Sequence, residues 1–167
     1  SDGEFENTNF SSNVEDLIDA AEFLKEQYSA PTLLIGHSLG GAAVLKAAKF
    51  LDSVETIATI GAPSNPEHVR HLISDAEDEI EKNGKAKVNI GGRPFYIKKQ
   101  FLDDLEKHPL LDEIAEMRKS TLFFHSPQDD IVEISNAAEL YNAAWHPKSF
   151  VSLDGADHLL SDKLDAE

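Results

Sequence analysis

The stretch Thr32-Leu33-Leu34-Ile35-Gly36-His37-Ser38-Leu39-Gly40-Gly41-Ala42-Ala43-Val44-Leu45 decides the fold. A short apolar run leads into G-x-S-x-G and a run of small apolar residues follows, which predicts a strand, a sharp turn with Ser38 at its tip, and a helix. A serine at such a tip must adopt a backbone conformation that flanking side chains would block, and Gly36 and Gly40 are expected to relieve that crowding. A bare G-x-S-x-G arises by chance in roughly one in twenty chains of this length. The strand before it and the helix after it therefore carry the argument.

Two later segments add to it. Leu122-Phe123-Phe124-His125-Ser126-Pro127-Gln128-Asp129-Asp130-Ile131-Val132 reads as a strand entering a loop with paired carboxylates, and Phe150-Val151-Ser152-Leu153-Asp154-Gly155-Ala156-Asp157-His158 as a strand whose end delivers a histidine. The chain order is serine, acid, histidine, which is that of α/β-hydrolases and not of other serine-hydrolase folds. In this reading the Ser38 hydroxyl, inert alone at neutral pH, attacks a carbonyl while His158 takes its proton. Asp129 or Asp130 orients the ring, and the backbone N–H of Leu39 is one oxyanion donor. Asp154 and Asp157 are expected to fix the turn around the histidine.

The other candidates have plainer explanations. His37 is expected to pack under the turn and His125 at a strand end. His68 and His71 stand three apart on a predicted helix, without an evident third ligand, so neither a metal nor a cofactor is expected. Trp145 and Tyr141 read as core or rim packing.

Composition bounds the rest. The 167 residues suit one domain with a real core. Formal charge is −16, from 31 acidic and 15 basic residues, which argues against nucleic acid and anionic membrane surfaces as partners. No run of eighteen apolar residues occurs, and Ser1-Asp2-Gly3-Glu4-Phe5-Glu6 lacks the regions of a signal peptide, so a cytoplasmic location is expected. Cysteine is absent, which excludes disulfides and thiolate metal sites.

Along the chain, Ser12 with Glu15 suggests a capping box, and Val14, Leu17, Ile18, Ala21 and Leu24 an amphipathic helix over about 13–28, stopped by Pro31. A helix over about 40–51 and a strand over 56–60 continue a β-α-β alternation that predicts a parallel sheet with helices on both faces. Between 65 and 119 the rhythm changes. A helix starting at Asn65-Pro66-Glu67, a hairpin about Gly91-Gly92 and a helical stretch broken near His108-Pro109 predict an insertion placed as a cap over the site. Ser135 is expected to cap a helix through Ala144, and a last strand spans 148–153.

The segments Leu34 to Ala43, Ala58-Thr59-Ile60-Gly61-Ala62-Pro63, Val88-Asn89-Ile90-Gly91-Gly92-Arg93-Pro94-Phe95 and His146 to His158 closely resemble a bacterial α/β-hydrolase family whose hydrolase domain is often fused to an OsmC-type redox domain. The resemblance implies a cytoplasmic serine hydrolase of esterase or acyl-aminopeptidase-like type, and its spacing, with Ile131-Val132 two residues on, favours Asp129 over Asp130 as the acid. It implies that residues 1–167 are one truncated domain of about four parallel strands with flanking helices and a helix-hairpin-helix cap at about 65–119. Further strands, and the loop giving the second oxyanion donor, would lie upstream. The strand before Ser38 would then be an exposed apolar edge, open to self-association. The expected function is cleavage of a carboxylic ester or related small acyl substrate through an acyl-serine. Acyl transfer or acyl-aminopeptidase action on the same residues, and a non-catalytic interaction module, are the alternatives.

Overall fold

The computed structural model describes residues 5–66, 74–90, 93–105 and 108–163. In chain order its elements are α1 (Phe10–Gln27), β1 (Leu33–His37), α2 (Leu39–Ala48), β2 (Thr56–Ile60), α3 (Ser74–Asn83), β3 (Lys85–Ile90), β4 (Arg93–Lys98), α4 (Lys99–Leu105), α5 (Leu110–Glu116), β5 (Ser120–His125), α6 (Ser135–Ala143) and β6 (Lys148–Ser152). Four strands form one parallel sheet in the order β1-β2-β5-β6.

Helix α1 begins earlier than its capping signal suggested. Asn9, not Ser12, is the N-cap: its side chain accepts the Ser12 N–H at 2.7 Å, and Ser12 Oγ accepts the Asn9 N–H at 3.0 Å. The reason is Phe10, whose ring is fully buried and extends the apolar stripe by one turn. Burying it contributes about 2 kcal/mol, more than a cap is worth. A similar correction applies to α6, where Ile134 occupies the N-cap and Ser135 is already helical and makes no cap bond.

The alternation predicts helices on both faces of the sheet; the described helices that pack on it lie on one. Helix α2 packs on β1 and β2, α6 packs on β5 and β6, and α5 sits between α2 and α6, so these helices form one layer. Under it Ile57, Thr59, Thr121 and Phe123 are buried. The alternate residues Leu33, Ile35, Leu122, Phe124 and Val151 line the opposite face, which no described helix covers; Ile35 is 62% exposed. With β1 at one edge of the sheet, this apolar surface runs to that edge.

The segment 74–119 packs into the same apolar core as the helices over the sheet: Ile97, Phe101, Leu105, Leu110 and Ile114 are buried in one cluster with Phe10, Val44, Leu45 and Leu140. Strands β3 and β4 pair antiparallel, with Ala86, Val88 and Ile97 buried. Lys85 lies directly opposite Lys98, and Glu6 bridges the two like charges at 2.9 and 3.2 Å. Helix α4 is fastened to the start of α1: Asp104 accepts the Ser11 N–H at 2.6 Å and the Ser11 hydroxyl at 2.8 Å, beside the ring of His108. The segment's described contacts include the N-terminal turn, α1, α2 and α6, and Lys119 donates to the Leu51 and Val54 carbonyls in the loop after α2. The Gly91-Gly92 turn and the helix start after Pro66 lie outside the described residues, as do His68 and His71. No described helix is long and apolar enough to cross a membrane.

Candidate active site

Ser38 follows the last residue of β1 and precedes the first of α2, with φ 54° and ψ −131°. Serine is a favoured N-cap, yet here it makes no capping bond, because this backbone region turns its side chain away from the helix. The hydroxyl instead meets His158 Nε2 at 2.9 Å, across 120 residues of sequence. Leu39 opens α2, so its N–H is among the first four that an α-helix leaves without an internal acceptor.

The expected glycines divide. A Cβ on Gly36 would lie 2.3 Å from the Gly40 carbonyl oxygen, which only glycine avoids, whereas a Cβ on Gly40 would meet nothing within 4 Å. Gly40 therefore relieves no crowding of its own. The close approach on the helix side is made by Gly41, where a Cβ would lie 2.6 Å from Ala62 Cβ.

His158 arrives on the loop after β6 and is 5% exposed. Its Nδ1 lies 2.7 Å from Asp129 Oδ2. A carboxylate only accepts, so the proton sits on Nδ1 and Nε2 is left to accept from the serine hydroxyl. Asp129 is buried, while Asp130 is exposed. The other Asp129 oxygen accepts the N–H groups of Ile131 at 3.0 Å and Val132 at 2.9 Å. Burial by itself raises the Asp129 carboxyl, but the bonds from His158, Val132 and Ile131 together outweigh it and hold the group below its ordinary value, so it is ionised at neutral pH.

Further residues brace these loops, and for His125, Ser126, Gln128 and Gly61 sequence spacing did not assign that role. His125, fully buried at the end of β5, donates through Nε2 to the Val132 carbonyl at 2.7 Å and so steadies the segment that bonds Asp129. Ser126 donates to the Ala156 carbonyl at 2.6 Å, and Gln128 Oε1 accepts the Gly155 N–H at 2.8 Å, joining the acid loop to the histidine loop. Asp157 accepts from Leu159 at 3.1 Å and Ser161 at 2.8 Å, the turn-fixing role expected of it. Asp154 accepts the Ser152 hydroxyl at 3.1 Å. Gly61, at φ 56°, ends β2 directly behind the pair: a Cβ there would sit 3.2 Å from Asp129 Oδ2 and 3.3 Å from His158 Nδ1. A glycine closing a strand was the one sequence signal for it.

Tyr141 packs edge-on against Phe123 and Trp145 lies at the rim, donating to the Ala115 carbonyl. Among the described residues no cluster of three potential metal ligands occurs.

Chemically, the arrangement can deprotonate a serine as it attacks, compensate the resulting imidazolium with a buried carboxylate, and present a helix N-terminus to the developing oxyanion.

No protein-family model matches the sequence, and no curated protein matches it either. Solved structures do. The esterase domain of a Rhodothermus marinus protein is 57% identical, with a TM-score of 0.80. That match takes in 97% of this chain but 66% of that domain, so the chain spans slightly less than two thirds of its relative. Est1E from Butyrivibrio proteoclasticus, solved with ferulic acid bound, is 19% identical with a TM-score of 0.79, the match covering 99% of this chain and 67% of that one. Mouse alpha/beta hydrolase domain-containing protein 10 is 21% identical with a TM-score of 0.73, over 98% and 67%. These last two speak to the fold alone. The parallel sheet, the strand-to-helix turn and 57% identity along nearly the whole chain make it a member of the α/β-hydrolase family.

Proposed function

We propose that this chain carries the nucleophile, base and acid of a serine hydrolase that cleaves a carboxylic ester, or a related small acyl compound, through an acyl-Ser38 intermediate. Ser38 Oγ attacks the carbonyl carbon as His158 Nε2 takes its proton. The same proton then passes to the departing alkoxide, and water repeats the sequence to release the acid. Asp129 holds the ring in its Nδ1–H tautomer and balances the positive charge on it. The Leu39 N–H receives part of the oxyanion charge, a donor worth typically about 3 kcal/mol.

The observation that carries this reading is the unbroken line of two bonds, Ser38 to His158 at 2.9 Å and His158 to Asp129 at 2.7 Å, joining the ends of β1, β6 and β5. The 57% identical relative is an esterase domain, which favours an ester as the bond attacked. The test is incubation with a fluorophosphonate followed by peptide mass analysis. A single adduct on Ser38, lost in Ser38→Ala, is expected; a folded protein that remains unlabelled would refute the reading.

A further inference from the structure

We propose that His37 is a positioning residue for His158, fastening the backbone of the base-bearing loop to the strand that carries the nucleophile. The inference rests on the roles given above to Ser38, His158 and Asp129. His37 ends β1 immediately before Ser38, and its Nε2 lies 2.6 Å from the His158 carbonyl oxygen. The two imidazoles are 4.9 Å apart between centroids and tilted by 44°. A carbonyl oxygen only accepts, so Nε2 of His37 must carry the proton and this side chain is committed to one tautomer.

The other bonds of the loop show what this one adds. Ser126 and Gln128 fasten it to the acid loop, and Asp157 folds it on itself. These fix where His158 stands relative to Asp129. The His37 bond fixes where it stands relative to β1, and with the His158–Ser38 contact and the peptide link from His37 to Ser38 it closes a ring through the reacting groups. Without it, the reach from Nε2 to the hydroxyl depends on the side-chain contact alone. A misplacement of about 1 Å there can lower a rate about 100-fold.

Two measurements test this. In protein labelled with ¹⁵N-histidine and ¹³C-carbonyl, His37 is expected as the Nε2–H tautomer, with a scalar coupling through the hydrogen bond to the His158 carbonyl carbon. An Nδ1–H tautomer would overturn the proposal, and this arm needs neither a variant nor turnover. In the second, His37→Phe keeps ring bulk and removes the donor, whereas His37→Gln keeps an N–H at similar reach. Expected for His37→Phe are a shifted and broadened low-field Nδ1–H resonance of His158 and a kcat for p-nitrophenyl acetate lowered about 10- to 100-fold with KM nearly unchanged. His37→Gln should restore most of both. Wild-type kcat and an unmoved resonance in folded His37→Phe would sink it. If His37→Phe does not fold, the Gln variant and the tautomer decide. A wild-type protein that fails to label at Ser38 refutes the hydrolase reading separately, since the His37 bond is read by resonance.

Discussion

At Gly61 a single methyl group would press on both partners of the Asp129–His158 pair, and the residue would have to hold φ 56°, a region costly for any side chain. Gly61→Ala is expected to destabilise the fold by about 1–2 kcal/mol and to depress turnover, read by urea midpoints and ester kinetics. Gly40→Ala should be nearly silent in the same assays, since its Cβ meets open space. Asp129→Asn preserves shape but favours the wrong histidine tautomer, with turnover expected to fall about 10⁴-fold. Asp130→Asn, at an exposed position, should keep it within about twofold. The pH dependence follows in sign. Asp129 has a native value below its ordinary 3.8, so its stabilising bonds are fully present above the unfolded value near 3.9 and are lost as pH falls through the native one. In acid titrations of stability, Asp129→Asn should remove that part of the loss below about pH 4.

At the scale of elements, the segment 74–119 shares one apolar core with the helices over the sheet, and a long-range polar tie, Asp104 on the first turn of α1, adds to it. Ser11→Ala removes the hydroxyl arm and keeps the backbone one. It is expected to cost about 1 kcal/mol and to speed amide exchange in α4 and in the first turn of α1. This tie was not legible in the sequence, because partners 93 residues apart leave no periodic trace. What was legible has local causes. Apolar runs of strand length, closed by Gly, Pro or Asp, marked the four parallel strands, and side chains at their ends marked Ser38, the pair Asp129 and Asp130, and His158. Helix α1 starts upstream of the Ser12 signal because Ser12 does take part in a capping box, though as the residue at N3, and the buried Phe10 lies before it. Alternation of strands and helices also could not say that the described helices gather on one face, since crossovers leave that choice to packing.

For the described residues as a whole, one sheet face and the β1 edge carry open apolar side chains. Leu33 and Ile35 are 48% and 62% exposed, with Phe23, Leu24 and Tyr28 of the α1 end also open. Exposed apolar edges template pairing with another chain. Light scattering on the 167-residue chain should show species larger than a monomer, shifting toward monomer in Ile35→Lys; a compact monomer at high concentration would contradict this. The conformation of Ser38 has its own global effect. A residue with a side chain at φ 54° and ψ −131° holds about 1–3 kcal/mol of unrelieved torsion in the resting fold. Ser38→Gly would let that tension go, and a rise in melting temperature of a few degrees is expected for a domain of this size. The Ser38→Gly protein would thus outlast its parent on heating, durability having been exchanged for the backbone bend that presents this hydroxyl.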